Sequence, residues 1–413
     1  MINHARFLKA TKKQLRNLNF FWLGFILYAL SNTLSSTHVN IILCQAVQIP
    51  GLILMIVTIP SLIQFKIDNK YLKIIYILYC AWFFSMIVSG FHLLLNYSYL
   101  KDFLFNPSVG MLYFAPLLLL FPRDFVYYKK VFDVIVVLGI FYIVYDIVFI
   151  KDLLHADRST QGIVESFSDL SFPCGFLLLT YAYHSKKTQL VAVMVTVLAL
   201  LFAIIHARRG LILIFTNMLL ASYILYIYSS KKKLLIMYLT IFIALFGALY
   251  INGVYKPRNS KLFGFLVSKG NEDTRTGVEL YFYDDMKTND WITGRGINGE
   301  YFCPNIEENQ ITNYRRNIET GYLQTILKGG LISLGLFILI AIPALIKGLF
   351  YSKNILSKAA AIWILMSLVN SYPSTVSSFT LQYLLVWVSI GICYSKEIRN
   401  MTENNIKNIF HSL

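Results

Sequence analysis

The stretch LVAVMVTVLALLFAIIHARRGLILIFTNMLLASYILYIY, residues 190–228, decides the fold class of this chain. It contains two apolar runs of about 20 residues, each long enough to cross a hydrocarbon core of roughly 30 Å as a helix with internal backbone hydrogen bonds. Between the runs lies the short turn His206–Gly210, which carries two adjacent arginines. The pattern therefore predicts two membrane-spanning helices joined by a basic turn.

The same composition extends over the whole chain. Of its 413 residues, 57% are hydrophobic, 15% are aromatic and only 14% are charged, which excludes an ordinary soluble domain. We predict an all-α integral membrane protein with one polytopic domain, residues 1–413. About twelve spans are expected near residues 18–35, 40–64, 72–95, 103–121, 131–150, 167–184, 188–206, 211–228, 233–252, 322–347, 357–372 and 378–394.

The distribution of lysine and arginine gives the orientation, because cytoplasmic loops of membrane proteins carry an excess of positive charge. Lysine-rich short loops fall on the side of the N-terminus at residues 66–73, 122–130, 185–187, 229–233, 347–358 and 395–400. Both termini are therefore predicted to be cytoplasmic. The formal net charge of +16 is then a topological signal, and no nucleic-acid partner is expected.

The turn His206–Gly210 is the exception to this charge rule, because the span count places it on the outer face. Two arginines there oppose the insertion bias, which favours a functional reading. Their planar guanidinium groups could bind a phosphate or pyrophosphate through paired hydrogen bonds. The alternatives are that Arg208 and Arg209 only reach toward lipid headgroups, or that the span count is off by one.

The second feature is the extracytoplasmic loop of residues 253–320, between the ninth and tenth spans. Loops of this length inside a compact protein are functional or disordered, and the aromatic content of this one favours order. Val278, Tyr281, Phe282 and Met286 recur at helical spacing, which predicts amphipathic helices over the bundle.

Two patterns in the loop suggest cofactors but lack the required context. GRGING, residues 294–299, has the spacing of a dinucleotide fingerprint without the strand and βαβ unit that it needs, so Arg295 is expected in a turn. The acidic pairs at residues 272–273, 284–285 and 307–308 have no neighbouring histidine cluster or Asp-x-Asp motif, so a solvated loop face is the simpler interpretation. No metal and no other cofactor is expected.

Several motifs occur in a fixed order in the C-terminal half. They are the turn Arg208–Gly210, an arginine near the start of the large outer loop (Arg275), W-x-x-G-x-G at Trp291–Gly296, and E-T-G-Y-L followed by L-K-G-G between Glu319 and Gly330. Together with the topology, these features resemble the O-antigen polymerase and ligase superfamily. The resemblance covers residues 200–345 by motif and the rest of the chain by topology alone.

This resemblance implies a GT-C-like glycosyltransferase that works without a metal ion or a nucleotide sugar. Its donor would be an undecaprenyl-pyrophosphate-linked oligosaccharide on the outer face of the bacterial inner membrane. The pathway would be the biosynthesis of lipopolysaccharide or another surface polysaccharide. A chain-length regulator would be a possible partner, in addition to the lipid bilayer. The implied catalytic residues are Glu319, Arg208 and Arg209, and the implied pyrophosphate- or substrate-binding residues are Arg275, Arg295, Tyr322 and Trp291.

The residue types fit that chemistry. Fixed cations stabilise a pyrophosphate leaving group as it gains negative charge. A carboxylate at the membrane edge, Glu319, could remove the proton of the acceptor hydroxyl, and burial there would strengthen it as a base. Alternatively, Glu319 could interact with the amide dipoles at the start of the following span, and the loop aromatics could form a small core of the loop instead of stacking on sugars.

One departure favours the polymerase branch over the ligase branch. Ligases of the superfamily carry His-Asn before the Tyr-Leu pair at the end of the loop, whereas this chain has Glu319 and Thr320 at the corresponding place, followed by Gly321 and then Tyr322 and Leu323. No histidine occurs between His206 and His411. The alternatives are an O-antigen ligase that transfers glycan to lipid A-core, and a polysaccharide transporter or flippase, which should carry charged residues near the middle of its spans.

Overall fold

The computed structural model describes residues 11–90, 96–155, 158–230, 275–304, 313–375 and 377–413. In these ranges the chain is almost entirely helical. The helices, numbered in chain order, are α1 Lys12–Leu34, α2 Ile41–Leu62, α3 Lys70–Ser89, α4 Tyr97–Phe105, α5 Phe125–Val148, α6 Ile150–Leu154, α7 Arg158–Ser171, α8 Cys174–Leu179, α9 Lys186–Ile205, α10 Arg209–Ser229, α11 Thr276–Asp285, α12 Thr288–Thr293, α13 Gly321–Phe350, α14 Ile355–Asn370, α15 Leu381–Tyr394, α16 Lys396–Asn400 and α17 Glu403–Ser412. Two 3-10 helices, Met111–Leu120 and Tyr181–Tyr183, and a short antiparallel pair, β1 Tyr301–Phe302 and β2 Tyr314–Arg315, complete the described secondary structure.

Seven helical stretches of the described chain are long and apolar enough to cross a membrane. Six of them are α2, α3, α5, α9, α10 and α13. The seventh is the segment Thr160–Leu179, which contains most of α7 and all of α8. Three shorter apolar helices are Met111–Leu120, α14 and α15. The chain is therefore an all-α, multi-pass membrane protein. The expected span at residues 233–252 lies outside the described residues, as do loop residues 253–274 and 305–312, with the acidic pairs at 272–273 and 307–308.

Prolines interrupt two of the predicted spans. Residues 103–121 do not form one helix: α4 ends at Phe105, Asn106 is extended ahead of Pro107, and the chain resumes as the 3-10 helix Met111–Leu120, which contains Pro116. A residue before proline is pushed out of the helical region, which explains the first break. Residues 167–184 are also interrupted, because Pro173, whose own backbone stays helical, lies between α7 and α8.

The chain divides into two compact units, each described here by itself. The first contains residues 1–131 and 273–413, and the second contains residues 132–272. In the first unit, α13 packs against α3, α14 and α15. Its core includes Trp387 of α15, which is fully buried and contacts the rings of Tyr79 on α3 and Phe337 on α13. In the second unit, α8 and α10 pack against α9 and against each other.

Helix α13 is broken at Gly330. This residue has φ of +65° and ψ of −174°, values far from those of a helix, so the helix consists of two parts joined at one residue. The 20 residues from Leu331 to Phe350 would measure about 30 Å as a helix, enough to span a bilayer without help. The shorter part, Gly321–Gly329, is consequently available to pack against the loop residues that precede it.

Candidate functional site

The residues singled out from the sequence fall into both units. Arg275, Trp291, Arg295, Glu319 and Tyr322 belong to the first unit. The turn with Arg208 and Arg209 belongs to the second. Within the first unit, the structure brings Arg275 and Glu319 into direct contact although they lie 44 positions apart in the sequence.

The Arg275–Glu319 ion pair lies at the start of two helices. Arg275 is the residue before α11, and Glu319 lies two residues before α13. The Arg275 Nε donates to the Glu319 Oε2 at 2.9 Å, and its Nη2 donates to the Pro373 carbonyl oxygen at 2.7 Å. The expected burial of Glu319 is wrong: its side chain is 65% exposed, and the Arg275 side chain with which it pairs is itself 40% exposed. A cation and a carboxylate are thus presented together to solvent.

Two further side chains fix the backbone next to this pair. Thr320 donates a hydrogen bond through its Oγ1 to the Glu279 carboxylate, one turn along α11 from Arg275. Thr375 donates through its Oγ1 to the carbonyl oxygens of Ile318, at 2.7 Å, and of Glu319, at 3.0 Å. The sequence reasoning missed Glu279 and Thr375. The spacing of Arg275 and Glu279, which places both on one face of a helix, was the available signal for Glu279.

Arg295 is used by the loop itself. Its Nε donates to Asp290 Oδ2 at 2.9 Å. Its Nη1 donates to the Asp285 carboxylate and to the Glu300 carbonyl oxygen. Its Nη2 donates to the Asp285 carbonyl oxygen and to Asp290 Oδ2. These bonds use all five N–H groups of a guanidinium. The geometry therefore favours an organising role in the loop for Arg295 over the expected contact with pyrophosphate.

We expect Arg295→Ala to destabilise the loop by about 2–3 kcal/mol, because two half-buried carboxylates lose their hydrogen-bonded counter-charge. Burial raises the pKa of the Asp285 carboxyl, but hydrogen bonds from Arg295 and the Phe302 N–H outweigh burial and hold the pKa below its usual value. A lowered carboxyl pKa contributes stability above its unfolded value, near pH 4, and that contribution is lost as pH falls through the folded value. Proteolysis of the loop, followed against pH, should show wild-type protection declining below about pH 4 and Arg295→Ala unprotected even at neutral pH. Equal protection of both proteins at neutral pH would contradict the assignment.

The glycine-rich turn docks onto the broken helix. The backbone N–H groups of Arg295 and Gly296 donate to the carbonyl oxygens of Leu327, at 2.8 Å, and Lys328, at 2.9 Å. A Cβ atom on Gly294, whose φ is +72°, would lie 2.6 Å from the backbone nitrogens of Gly329 and Gly330. The motifs W-x-x-G-x-G and L-K-G-G are therefore two halves of one backbone contact.

Charged side chains surround this contact. Lys328 is buried and donates through its Nζ to the Gly299 carbonyl oxygen at 2.9 Å. Arg316 donates to Glu300 at 2.7 Å and to Asp102 at 2.9 Å, and its guanidinium lies over the ring of Tyr99 on α4. Arg316, which the sequence reasoning also missed, thereby ties the loop to α4.

The aromatic candidates are packing residues in this structure. Trp291 stacks on Tyr283 with ring centroids 5.9 Å apart, and meets Phe282 edge-on. Phe282, Val278 and Met286 are buried in the core of the loop, whereas Tyr281 of the predicted stripe is exposed. The Tyr322 hydroxyl donates to the Leu368 carbonyl oxygen.

In the second unit, the arginine turn is held by α7. Arg208 forms an ion pair with Glu165 and donates to Gln161 Oε1 at 3.1 Å. Ala207 has a φ of +51°, and the buried His206 contacts the Leu153 carbonyl oxygen through its Nε2 at 2.9 Å. Arg209, the first residue of α10, is exposed. A phosphate at Arg208 would have to compete with Glu165.

No group of three or more histidine, cysteine, aspartate or glutamate residues in the described ranges is arranged to hold a metal ion. No protein-family model matches this chain, and the comparison with curated proteins gives no significant match. The geometry therefore defines the candidate site, and the Arg275–Glu319 pair lies at its centre.

Proposed function

We propose that this protein is a surface-polysaccharide polymerase of the O-antigen polymerase type. It would join oligosaccharide repeats carried on undecaprenyl pyrophosphate, at the outer face of a bacterial inner membrane. The observation that supports this proposal best is the accessible Arg275–Glu319 pair at the edge of a membrane-spanning helix. The pair offers one cation for a phosphate group of the lipid carrier and one carboxylate for a hydroxyl proton.

The reaction would be a single glycosyl transfer. The acceptor hydroxyl oxygen attacks the anomeric carbon of the donor sugar, and its proton passes to Glu319. The bond between that carbon and the pyrophosphate oxygen breaks, and the leaving lipid pyrophosphate keeps the electron pair. Arg275, turning from Glu319 to the pyrophosphate, would stabilise the growing negative charge, an interaction stronger in the transition state than in the ground state.

The direct test uses the purified full chain in detergent with a synthetic polyprenyl-pyrophosphate-linked repeat. The expected product is a ladder of glycans that differ by one repeat, together with released polyprenyl pyrophosphate. A protein that instead moves the unchanged repeat across the bilayer of a proteoliposome is a flippase. Transfer to lipid A-core without formation of a ladder identifies a ligase.

The proposal also requires a particular topology. We expect the loop containing α11 and α12 to be extracytoplasmic and the segment of residues 347–358 to be cytoplasmic, since only the latter is lysine-rich. In a background without native cysteines, Asn289→Cys should react with an impermeant maleimide in intact spheroplasts. Lys353→Cys, also at an exposed position, should react only after permeabilisation. The reverse pattern would place the Arg275–Glu319 pair on the cytoplasmic side and remove the lipid-linked donor as its substrate.

The two partners of the Arg208–Glu165 ion pair can be replaced separately, and this gives a test of the arginine turn. If Arg208 and Arg209 bind the donor's pyrophosphate, the double replacement by alanine should reduce polymer at least about a hundredfold. Glu165→Gln should then leave polymer formation intact, because it removes only the competing carboxylate. If Glu165→Gln causes the same loss as Arg208→Ala at equal membrane abundance, the ion pair maintains structure and the turn is not part of the site.

A further inference from the structure

A buried carboxylate in the second unit takes no part in the proposed reaction. Asp146 lies on α5, a membrane-spanning helix, and is 4% exposed. The Tyr142 hydroxyl, one turn earlier on α5, interacts with the carboxylate, but no described residue gives either oxygen a hydrogen bond of standard geometry. A carboxylate with so little hydrogen bonding is costly within a membrane domain, so its charge requires a counterpart.

A small cavity adjoins Asp146. It has room for one water molecule or one small ion. Its polar side chains come from Tyr142, Asp146 and Ser168, and its other lining residues are apolar, including Phe167 and Phe202. The walls therefore offer side-chain oxygen atoms and neither nitrogen nor sulfur ligands.

We propose that this cavity binds a single monovalent cation of the size of sodium, with Asp146 as the charged ligand. Hard cations prefer oxygen ligands, and one positive charge neutralises one carboxylate. The Ser168 hydroxyl donates its hydrogen to the Glu165 carbonyl oxygen at 2.6 Å, which leaves its own oxygen lone pairs available to a cation. A divalent ion would leave excess charge in a site with one carboxylate and a mostly apolar wall.

The cavity wall is connected to the arginine turn within the same unit. Leu153, which lines the cavity, accepts the contact from His206 through its carbonyl oxygen. Ser168 is bonded to the backbone of Glu165, whose side chain pairs with Arg208. Cation binding should therefore stabilise this turn, whether or not the chain is a glycosyltransferase.

The test is thermal unfolding of the purified full chain in chloride salts of sodium, potassium and N-methyl-D-glucamine at equal ionic strength. Sodium should raise the wild-type Tm by about 2–4 °C over N-methyl-D-glucamine, because an ion that binds only the folded state stabilises it. Asp146→Asn should abolish the difference, and Ser168→Ala should reduce it. The exposed control Asp68→Asn should retain it. Equilibrium binding of radioactive sodium should give one site per chain in the wild type and none in Asp146→Asn.

A wild-type Tm that is the same in all three salts, with no bound sodium, would overturn the proposal. So would a wild type that is stabilised only by lower pH, because Asp146 would then be a protonated carboxyl group. If Asp146→Asn fails to fold, the wild-type salt comparison and Ser168→Ala still decide the question. An unchanged sodium response in Ser168→Ala, with no measurable sodium binding, would also count against the site.

Discussion

Glu319→Gln should abolish polymer formation while leaving the protein in the membrane at normal abundance. The substitution keeps the shape of the side chain and its hydrogen bond from Arg275, but removes the charge that accepts the hydroxyl proton. General base catalysis contributes about 10² to 10⁴ in rate, so turnover should fall at least a hundredfold. The measurement is the rate of ladder formation from the lipid-linked repeat with purified protein.

The matched control is Glu397→Gln, which removes an exposed carboxylate on α16, away from the loop. It should retain wild-type turnover. Arg275→Lys gives a second comparison, because lysine keeps the charge but loses the planar fork that binds a carboxylate or phosphate in two places. We expect a lower turnover for Arg275→Lys than for the wild type, and a still lower turnover for Arg275→Ala. Full activity of Glu319→Gln would show that another group removes the proton and that the pair is structural.

Gly330→Ala should detach the loop from α13. Alanine at φ of +65° and ψ of −174°, a region that essentially only glycine occupies, costs about 1–3 kcal/mol from local sterics. In addition, its Cβ atom would lie 2.0 Å from the Ile292 carbonyl oxygen, and a backbone atom cannot move aside without displacing α12. We expect faster proteolysis of the loop, a lower Tm and at least a hundredfold loss of turnover, since Glu319 lies two residues before the part of α13 on which the loop packs.

Gly335→Ala is a closely matched control in the same helix. A Cβ atom there meets no heavy atom within 4 Å, and alanine is a better helix former than glycine. It should therefore leave proteolysis and turnover unchanged or slightly raise the Tm. If Gly330→Ala behaves like Gly335→Ala, the break in the helix does not hold the loop.

The fold class could be predicted because hydropathy reports directly on the surrounding solvent. A run of about 20 apolar residues has few alternatives to a spanning helix, and α2, α3, α5, α9 and α10 follow the predicted runs closely. Hydropathy does not detect local breaks. Residues 103–121 are as apolar as a span, yet Pro107 and Pro116 divide them, and only a residue-level reading of proline would have found this.

The candidate site was harder to predict, because a sequence shows which residues are charged but not which of them meet. Arg275 and Arg295 both looked like cations in an outer loop. The structure separates them: Arg295 is saturated by Asp285, Asp290 and backbone carbonyls of its own loop, whereas Arg275 reaches a distant and accessible carboxylate. The partner of Arg208, Glu165, likewise lies 43 positions earlier in the chain, beyond any local pattern.

The break at Gly330 divides α13 into two stretches that obey different rules of substitution. From Leu331 onward, many apolar residues would serve equally well wherever the helix faces lipid. From Gly321 to Gly329, by contrast, most positions are buried inside the protein, and Leu327 and Lys328 supply carbonyl oxygens to the glycine turn. In a library that randomises the whole helix among apolar residues, active clones should consequently differ from one another after the break. Before the break, they should nearly all carry the same residues. The two parts of α13 would thus tolerate substitution to different extents, with the boundary at a single residue.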